Sequence, residues 1–322
     1  LQQVFSALSN TNLSYIIAAL IITNVTFILR SLRWRTLLNA PRSLTLNHYS
    51  STTHIGYFLN NILPFRAGDI FRAKLLSNHD RDIKLSYLIG SLVGEKIIDL
   101  WVVGLFTIIL ILLGYTNLFG IQFILTVIGI SFLSSLIIFG RHTLSNTVLR
   151  IFPSLTSFVE GYTLVSENKI RLGGWSMLLW ISFVAYVILS LKAIGIILTL
   201  EQALGLTIIS SIVTSLPIAP AAIGTYHLAV IYCLHNLYGI NLELAQTGAI
   251  IMHSTFLLYS IVVGYIYLVS ENMSIASITN DDKNYKSKEL SIYMCMETKE
   301  VWEGVTGKTP RSDEKLDAFF DL

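Results

Sequence analysis

Along the chain, long stretches without a single charge alternate with short polar clusters. Leu118 to Phe139, Leu172 to Leu191 and Leu244 to Ser270 hold no Lys, Arg, Asp or Glu, and each reaches the ~20 apolar residues that a membrane-crossing helix needs. Two further apolar runs, Leu13 to Leu29 and Ile97 to Leu113, lie at the short end of the ~17–25 residue range but continue into helix-forming flanks. The pattern predicts an all-α polytopic membrane protein with about five spanning helices or more.

Two regions do not fit single spans. Gln202 to Leu242 runs 41 residues without a charge, roughly 60 Å as one helix at ~1.5 Å per residue and twice the depth of a bilayer core. Pro217 and Pro220 stand in its middle, where a missing donor and a ring clash break a helix, so a re-entrant hairpin is predicted. The uncharged run Leu44 to Phe65 ends in Asn60-Asn61-Ile62-Leu63-Pro64-Phe65-Arg66-Ala67-Gly68-Asp69, and predicts a second such hairpin. Both halves, residues 13–113 and 172–269, then read as span, Pro-broken hairpin, span, with Leu63-Pro64 paired to Leu216-Pro217. Broken segments at matching positions of an inverted repeat point to a transporter-like site near the bilayer midplane. The competing reading is that the prolines only kink ordinary membrane helices, which neighbouring helices tolerate.

Composition agrees with a membrane setting: 13% of residues are charged, against about 25% in soluble domains, and the mean hydropathy is +0.64. Charge also sets a topology. Arg30, Arg33, Arg35 and Arg42 follow the first span, and Arg141, Arg150, Lys169 and Arg171 flank the third and fourth; the positive-inside rule puts both groups in the cytoplasm. The first hairpin then opens toward the cytoplasm and the second toward the outside. Residues 1–270 hold 15 basic against 9 acidic residues, and 271–322 hold 7 against 11. The predicted organisation is a membrane domain over 1–270 and a polar, acidic, weakly ordered cytoplasmic tail over 271–322. The chain opens on Leu1 rather than Met, and is read as lacking an upstream segment.

Candidate chemistry gathers at the breaks. Asn60, Asn61, Arg66, Asp69 and Arg72 cluster where unwound backbone frees N–H groups, a setting suited to phosphate. The two arginines can grip a headgroup, with Asp69 steering one of them. The alternative is a boundary loop with interfacial arginines. Glu95 and Asp99 lie at i, i+4 on one helix face and Lys96 about 100° away. Inside a membrane they mark an ion pair with Arg66 or Arg72, a polar cavity, or both. Lys192 either snorkels to the interface or attracts an anionic headgroup. Pro64, Gly68, Pro217, Pro220 and Gly224 form the hairpin breaks. His227, His235 and His253 lack a metal-binding pitch and are expected to be packed or hydrogen-bonded. The two cysteines, Cys233 and Cys295, offer neither a disulfide framework nor a CxxC site. No GxSxG, P-loop or dinucleotide fingerprint occurs, so neither cofactor, metal nor nucleic-acid partner is expected; a homo-oligomer stays open.

Four stretches resemble the lysylphosphatidylglycerol synthase transmembrane-region family, a flippase-like membrane domain found alone or fused to an aminoacyl-transferase. They are Leu32-Arg33-Trp34-Arg35-Thr36-Leu37-Leu38, Gly56 to Arg72, Glu95-Lys96-Ile97-Ile98-Asp99, and Leu216 to Gly224. Asp69 stands where the family pattern has Glu, and Pro220-Ala221-Ala222 replaces a Pro-Gly-Gly turn. The resemblance implies a lipid-handling domain whose ligand is an anionic phospholipid, aminoacylated phosphatidylglycerol or a lipid-linked headgroup. A tail of about 50 residues is too short for the transferase fold, so an enzyme of lysyl transfer is not expected in this chain alone. Two functions follow: a lipid translocase, or a non-transporting subunit that presents lipid to a separate aminoacyl- or glycosyltransferase.

Overall fold

The computed structural model describes residues 11–38, 43–80, 82–112, 114, 121–139, 156–163, 169–215 and 219–273. Arg42, Arg141, Arg150, Leu216, Pro217, Cys295 and the tail beyond Met273 lie outside them. The chain divides into two compact units, Leu1–Tyr267 and Leu268–Leu322. Every element among the described residues is helical. That is the expected solution in lipid, where a backbone without water must satisfy its own N–H and C=O groups.

The helices run α1 Leu13–Leu37, α2 Leu46–Ile62, α3 Ala67–His79, α4 Leu85–Leu112, α5 Ile121–Phe139, α6 Thr156–Thr163, α7 Lys169–Lys192, α8 Leu200–Ser215, α9 Thr225–Ile231 and α10 Leu242–Ser270. A 3-10 turn, Pro64–Arg66, joins α2 to α3, a second, Pro220–Ala222, lies between α8 and α9, and a π-turn, Tyr232–Leu237, extends α9. The same order of elements therefore occurs twice: long helix, short helix, 3-10 break, short helix, long helix.

Three of these helices have stretches long and apolar enough to cross a membrane: Leu13–Leu37, Ile170–Lys192 and Leu242–Ser270. They contain the first, fourth and fifth expected spans. Residues 97–112 of the second expected span fall in α4, whose 28 residues place Glu95, Lys96 and Asp99 near the middle, and residues 121–139 of the third form α5.

α1 packs along α7, and α4 is flanked by α5 and α6. Asn12 caps α1 by accepting from the Ser14 amide at 3.0 Å, one of the orphan donors at a helix start. Thr26 and Ser182 share a hydrogen bond across the α1–α7 seam at 2.8 Å, the kind of small polar contact that joins helices where the hydrophobic effect between them is absent.

α2 and α3 fold back on each other as a hairpin. Gly56 and Gly68 face each other where the two helices cross. A Cβ on Gly68 would run into the Gly56 carbonyl and come within 2.7 Å of the Asn60 amide, and one on Gly56 would sit 2.8 Å from Cβ of Arg72. Neither side of this crossing has room for a methyl group.

The break between α2 and α3 is left-handed. Phe65 and Arg66 have φ of 56° and 54°, and after the other break Ala221 and Ala222 have φ of 52° and 54°. A side chain in this region costs roughly 1–2 kcal/mol per residue, so two such pairs in one chain mark turns held by their surroundings. The backbone of Pro64–Arg66 thus matches that of Pro220–Ala222; Pro217, paired with Pro64 in the sequence, lies outside the described residues. Gly224 follows with φ 88°, a conformation glycine adopts freely.

Candidate functional site

The two breaks meet: the turn Pro220–Ala222 packs on α2 and on the turn Pro64–Arg66. Where they meet is a cavity of about 210 Å³. Its walls come from seven helices and both turns. They include Arg30 of α1, Tyr57, Asn60 and Asn61 of α2, Arg66 of the first turn, Lys96 and Asp99 of α4, Trp180 and Phe183 of α7, Ser210 and Thr214 of α8, and Ala221 of the second turn. Tyr226 of α9 and His253 of α10 complete it.

The polar walls are fixed by their own contacts. Asn60 donates to Asp69 at 3.2 Å, and Arg66 binds the same carboxylate through Nε at 3.3 Å. Arg66 also reaches across to α8, where its Nη1 donates to the Thr214 carbonyl at 2.5 Å. That carbonyl belongs to the last turn of α8, whose acceptors have no partner within the helix. Asn61 donates to Ser260 of α10 at 2.7 Å. On the second turn His253 donates its Nε2–H to the Ala221 carbonyl at 2.8 Å, and Tyr226 stacks on the same imidazole at 4.9 Å between centroids. His253 is therefore a hydrogen-bonded packing residue, as expected.

At and behind the cavity wall lies an ion network in which Arg33, Arg72 and Glu95 are buried, while Asp69 and Asp99 keep 18% and 21% of their side-chain surface exposed. Arg33 grips Asp99 with both terminal nitrogens, at 2.5 and 3.2 Å, and stands 3.6 Å from Glu95. Arg72 binds Glu95 at 2.5 Å and lies 3.8 Å from Asp69. Trp180 donates its indole N–H to Asp99 at 3.2 Å. Trp34 donates to Ser91 at 3.0 Å, and its ring lies 4.7 Å under the guanidinium carbon of Arg72. The adjacent pair Arg33-Trp34 thereby ties α1 to both α4 and the first hairpin. A buried ion pair in so apolar a setting needs good geometry and partners; here the short contacts coexist with Arg33 Nε, Arg72 Nε and Nη1 and Glu95 Oε1, which have no hydrogen-bond partner among the described residues.

The structure redistributes the expected site. Asn60, Asn61, Arg66, Lys96 and Asp99 line one cavity. Glu95 and Arg72 do not: each side chain is 1% exposed, and they pair behind the wall. Lys192 is exposed, with its ammonium 5.0 Å from the Tyr15 ring centroid, and is not among the residues of the cavity. Gly68 acts through the helix crossing and Gly224 through its backbone.

Two arginines are more buried than residues of a boundary cluster need be. Arg30 and Arg33, read as part of a cytoplasmic basic cluster, are 7% and 0% exposed; they point into the helix bundle, because α1 continues to Leu37 instead of ending at the first charge. Arg30 lies between the rings of Tyr57 and Phe183, at 4.7 and 5.5 Å from their centroids. Arg33 and Arg30 are one turn apart at i, i+3, the spacing that puts two side chains on one helix face.

A family model described as the lysylphosphatidylglycerol synthase TM region matches residues 1–264. The chain is also similar to a UPF0104 membrane protein of Methanocaldococcus jannaschii, with 27% identity over 195 residues, 55% of this chain and 79% of that protein. No solved structure matches it.

Proposed function

The chain belongs to the lysylphosphatidylglycerol synthase TM region family of membrane proteins, and from that premise we propose that it binds the phosphate of an anionic phospholipid in its central cavity and moves the headgroup between leaflets. The observation that carries this reading is the meeting of the two left-handed breaks at a cavity lined by Arg30, Arg66 and Lys96. Headgroup translocation needs a polar path at bilayer depth, and broken helices whose freed backbone lines a cavity are one way to build it.

In this proposal α2–α3 and α8–α9 are re-entrant hairpins. At ~1.5 Å per residue α2 is about 26 Å long and α3 about 20 Å, short of the ~30 Å hydrocarbon core. The repeated order of elements supports an inverted repeat, with α4 and α5 added to the three long apolar helices as spans. The first hairpin opens to the cytoplasm, the second to the outside, and the tail beyond residue 270 is cytoplasmic, all in the cytoplasmic membrane. The membrane domain is 1–270.

Liposomes containing acyl-labelled fluorescent phosphatidylglycerol test the reading, with dithionite added outside. Wild-type protein is expected to expose the inner-leaflet label to bleaching, and Arg66→Ala to protect it. If wild type and variant protect the inner leaflet alike, the cavity holds headgroups without moving them. The chain then serves as a subunit that presents lipid to a separate transferase.

A further inference from the structure

The charges around the cavity do not cancel. Arg30, Arg33, Arg66, Arg72 and Lys96 face Asp69, Glu95 and Asp99, five cations against three carboxylates, which leaves two positive charges. Each carboxylate has a guanidinium of its own: Asp99 has Arg33 at 2.5 Å, Glu95 has Arg72 at 2.5 Å and Asp69 has Arg66 at 3.3 Å. The remaining pair is Arg30 and Lys96. Among the described residues neither makes an ion pair, and both line the cavity. Both lie close enough to Asp99 to interact with it electrostatically, and Lys96 also interacts with Asp69, without either cation forming a direct ion pair among the described residues.

Arg30 is the more telling of the two. It is 7% exposed, two aromatic rings lie near its guanidinium carbon, and among the described residues its N–H donors have no hydrogen-bond acceptor. A guanidinium carries five such donors in a fork that fits phosphate oxygens. Burying it without an anion is unfavourable. The geometry points to a ligand that supplies the missing negative charge.

Resting on the reading that the cavity takes a lipid phosphate, we propose that its ligand is a dianionic phosphate, a phosphomonoester, held by Arg30 and Lys96, and that a headgroup bearing amines is rejected. A phosphomonoester carries about −1.5 to −2 at neutral pH and balances both free cations. A phosphodiester carries one negative charge and leaves one cation unmatched. A lysylated phosphodiester, with two ammonium groups, is itself positive, and would add like charge to a wall that already has an excess of it. Phosphatidic acid and free phosphate share the favoured chemistry.

The test is thermal unfolding of the full chain in an uncharged detergent, followed by tryptophan fluorescence and titrated separately with short-chain phosphatidic acid, phosphatidylglycerol, lysylphosphatidylglycerol and inorganic phosphate. Phosphatidic acid is expected to stabilise with a half-saturation at least about tenfold below that of phosphatidylglycerol, and lysylphosphatidylglycerol to give no stabilisation. Arg30→Gln and Lys96→Gln should each erase the preference for the monoester, and Arg30→Lys should keep most of it. Lys96 is only partly buried, so its variant remains informative if Arg30→Gln does not fold. Inorganic phosphate acting as strongly as phosphatidic acid assigns the site to soluble phosphate; phosphatidic acid acting alone assigns it to lipid; both support the dianion site. Equal stabilisation by all three lipids, or a monoester preference unchanged in both glutamine variants, overturns it. The outcome is separate from transport: a monoester preference without label exposure in liposomes removes the translocase and leaves this site, and label exposure without a preference does the reverse.

Discussion

Arg33 has no exposed surface and stands 2.5 Å from Asp99 and 3.6 Å from Glu95, so removing its guanidinium takes the two-pronged partner from Asp99 and leaves Glu95 with Arg72 alone. Breaking a buried pair from one side costs about 3–5 kcal/mol. Arg33→Ala is therefore expected to lower the unfolding temperature of the detergent-solubilised protein sharply. Arg33→Lys should recover part of the loss, because a point charge cannot make the two-pronged contact to Asp99; full recovery by lysine would show that charge alone suffices. The sequence exposes such residues unevenly. Asn60, Asn61, Arg66, Lys96 and Asp99 stand out because they interrupt apolar runs. Arg30 and Arg33 are hidden by a rule that is right on average: an arginine after a charge-free run is usually a cytoplasmic boundary. The overlooked signal is that apolar residues resume at Leu32, Trp34, Leu37 and Leu38, so the helix carries both arginines on into the bundle.

At the scale of elements, the two hairpins solve one problem with different residues. The first has room for nothing at its helix crossing, where Gly68 meets the Gly56 carbonyl. The second holds alanine at two left-handed positions, Ala221 and Ala222, where a residue without Cβ is at ease. Small changes at the two sites should then act with opposite sign. Gly68→Ala overpacks the crossing, for about 1–3 kcal/mol of destabilisation, while Ala221→Gly relieves strain and is expected to stabilise by about 1 kcal/mol. Chemical or thermal unfolding of both variants beside wild type checks this; stabilisation by Gly68→Ala, or a loss in Ala221→Gly, would mean that the breaks relax in solution. Proline spacing and helix length make the existence of both breaks legible in the sequence. Their register is not, because Pro217 and Pro220 are equally good helix breakers by composition. What marks the Pro220 turn is its packing against α2, a tertiary contact that sequence spacing does not encode.

For the molecule as a whole, the repeated order of helices leaves one question of direction. Two copies of long, short, break, short, long can stand parallel or inverted in the bilayer, and only the inverted arrangement brings one hairpin to a midplane cavity from each side. The basic residues read as cytoplasmic decide the orientation in the sequence, but Arg30 and Arg33 no longer count, since they point inward. Arg35 and Arg171, both exposed, still support it. Asn78 at the end of α3 and Asn236 near the end of the second hairpin are both exposed, and can be made single cysteines in a Cys233→Ser, Cys295→Ser background. In sealed vesicles of known orientation, a membrane-impermeant maleimide should label Asn78→Cys only from the cytoplasmic side and Asn236→Cys only from the opposite side. The native Cys295, kept alone, should follow Asn78→Cys. Labelling of both hairpin positions from one side would make the repeat parallel, and a cavity between the breaks would then have no second entrance through which a headgroup could leave.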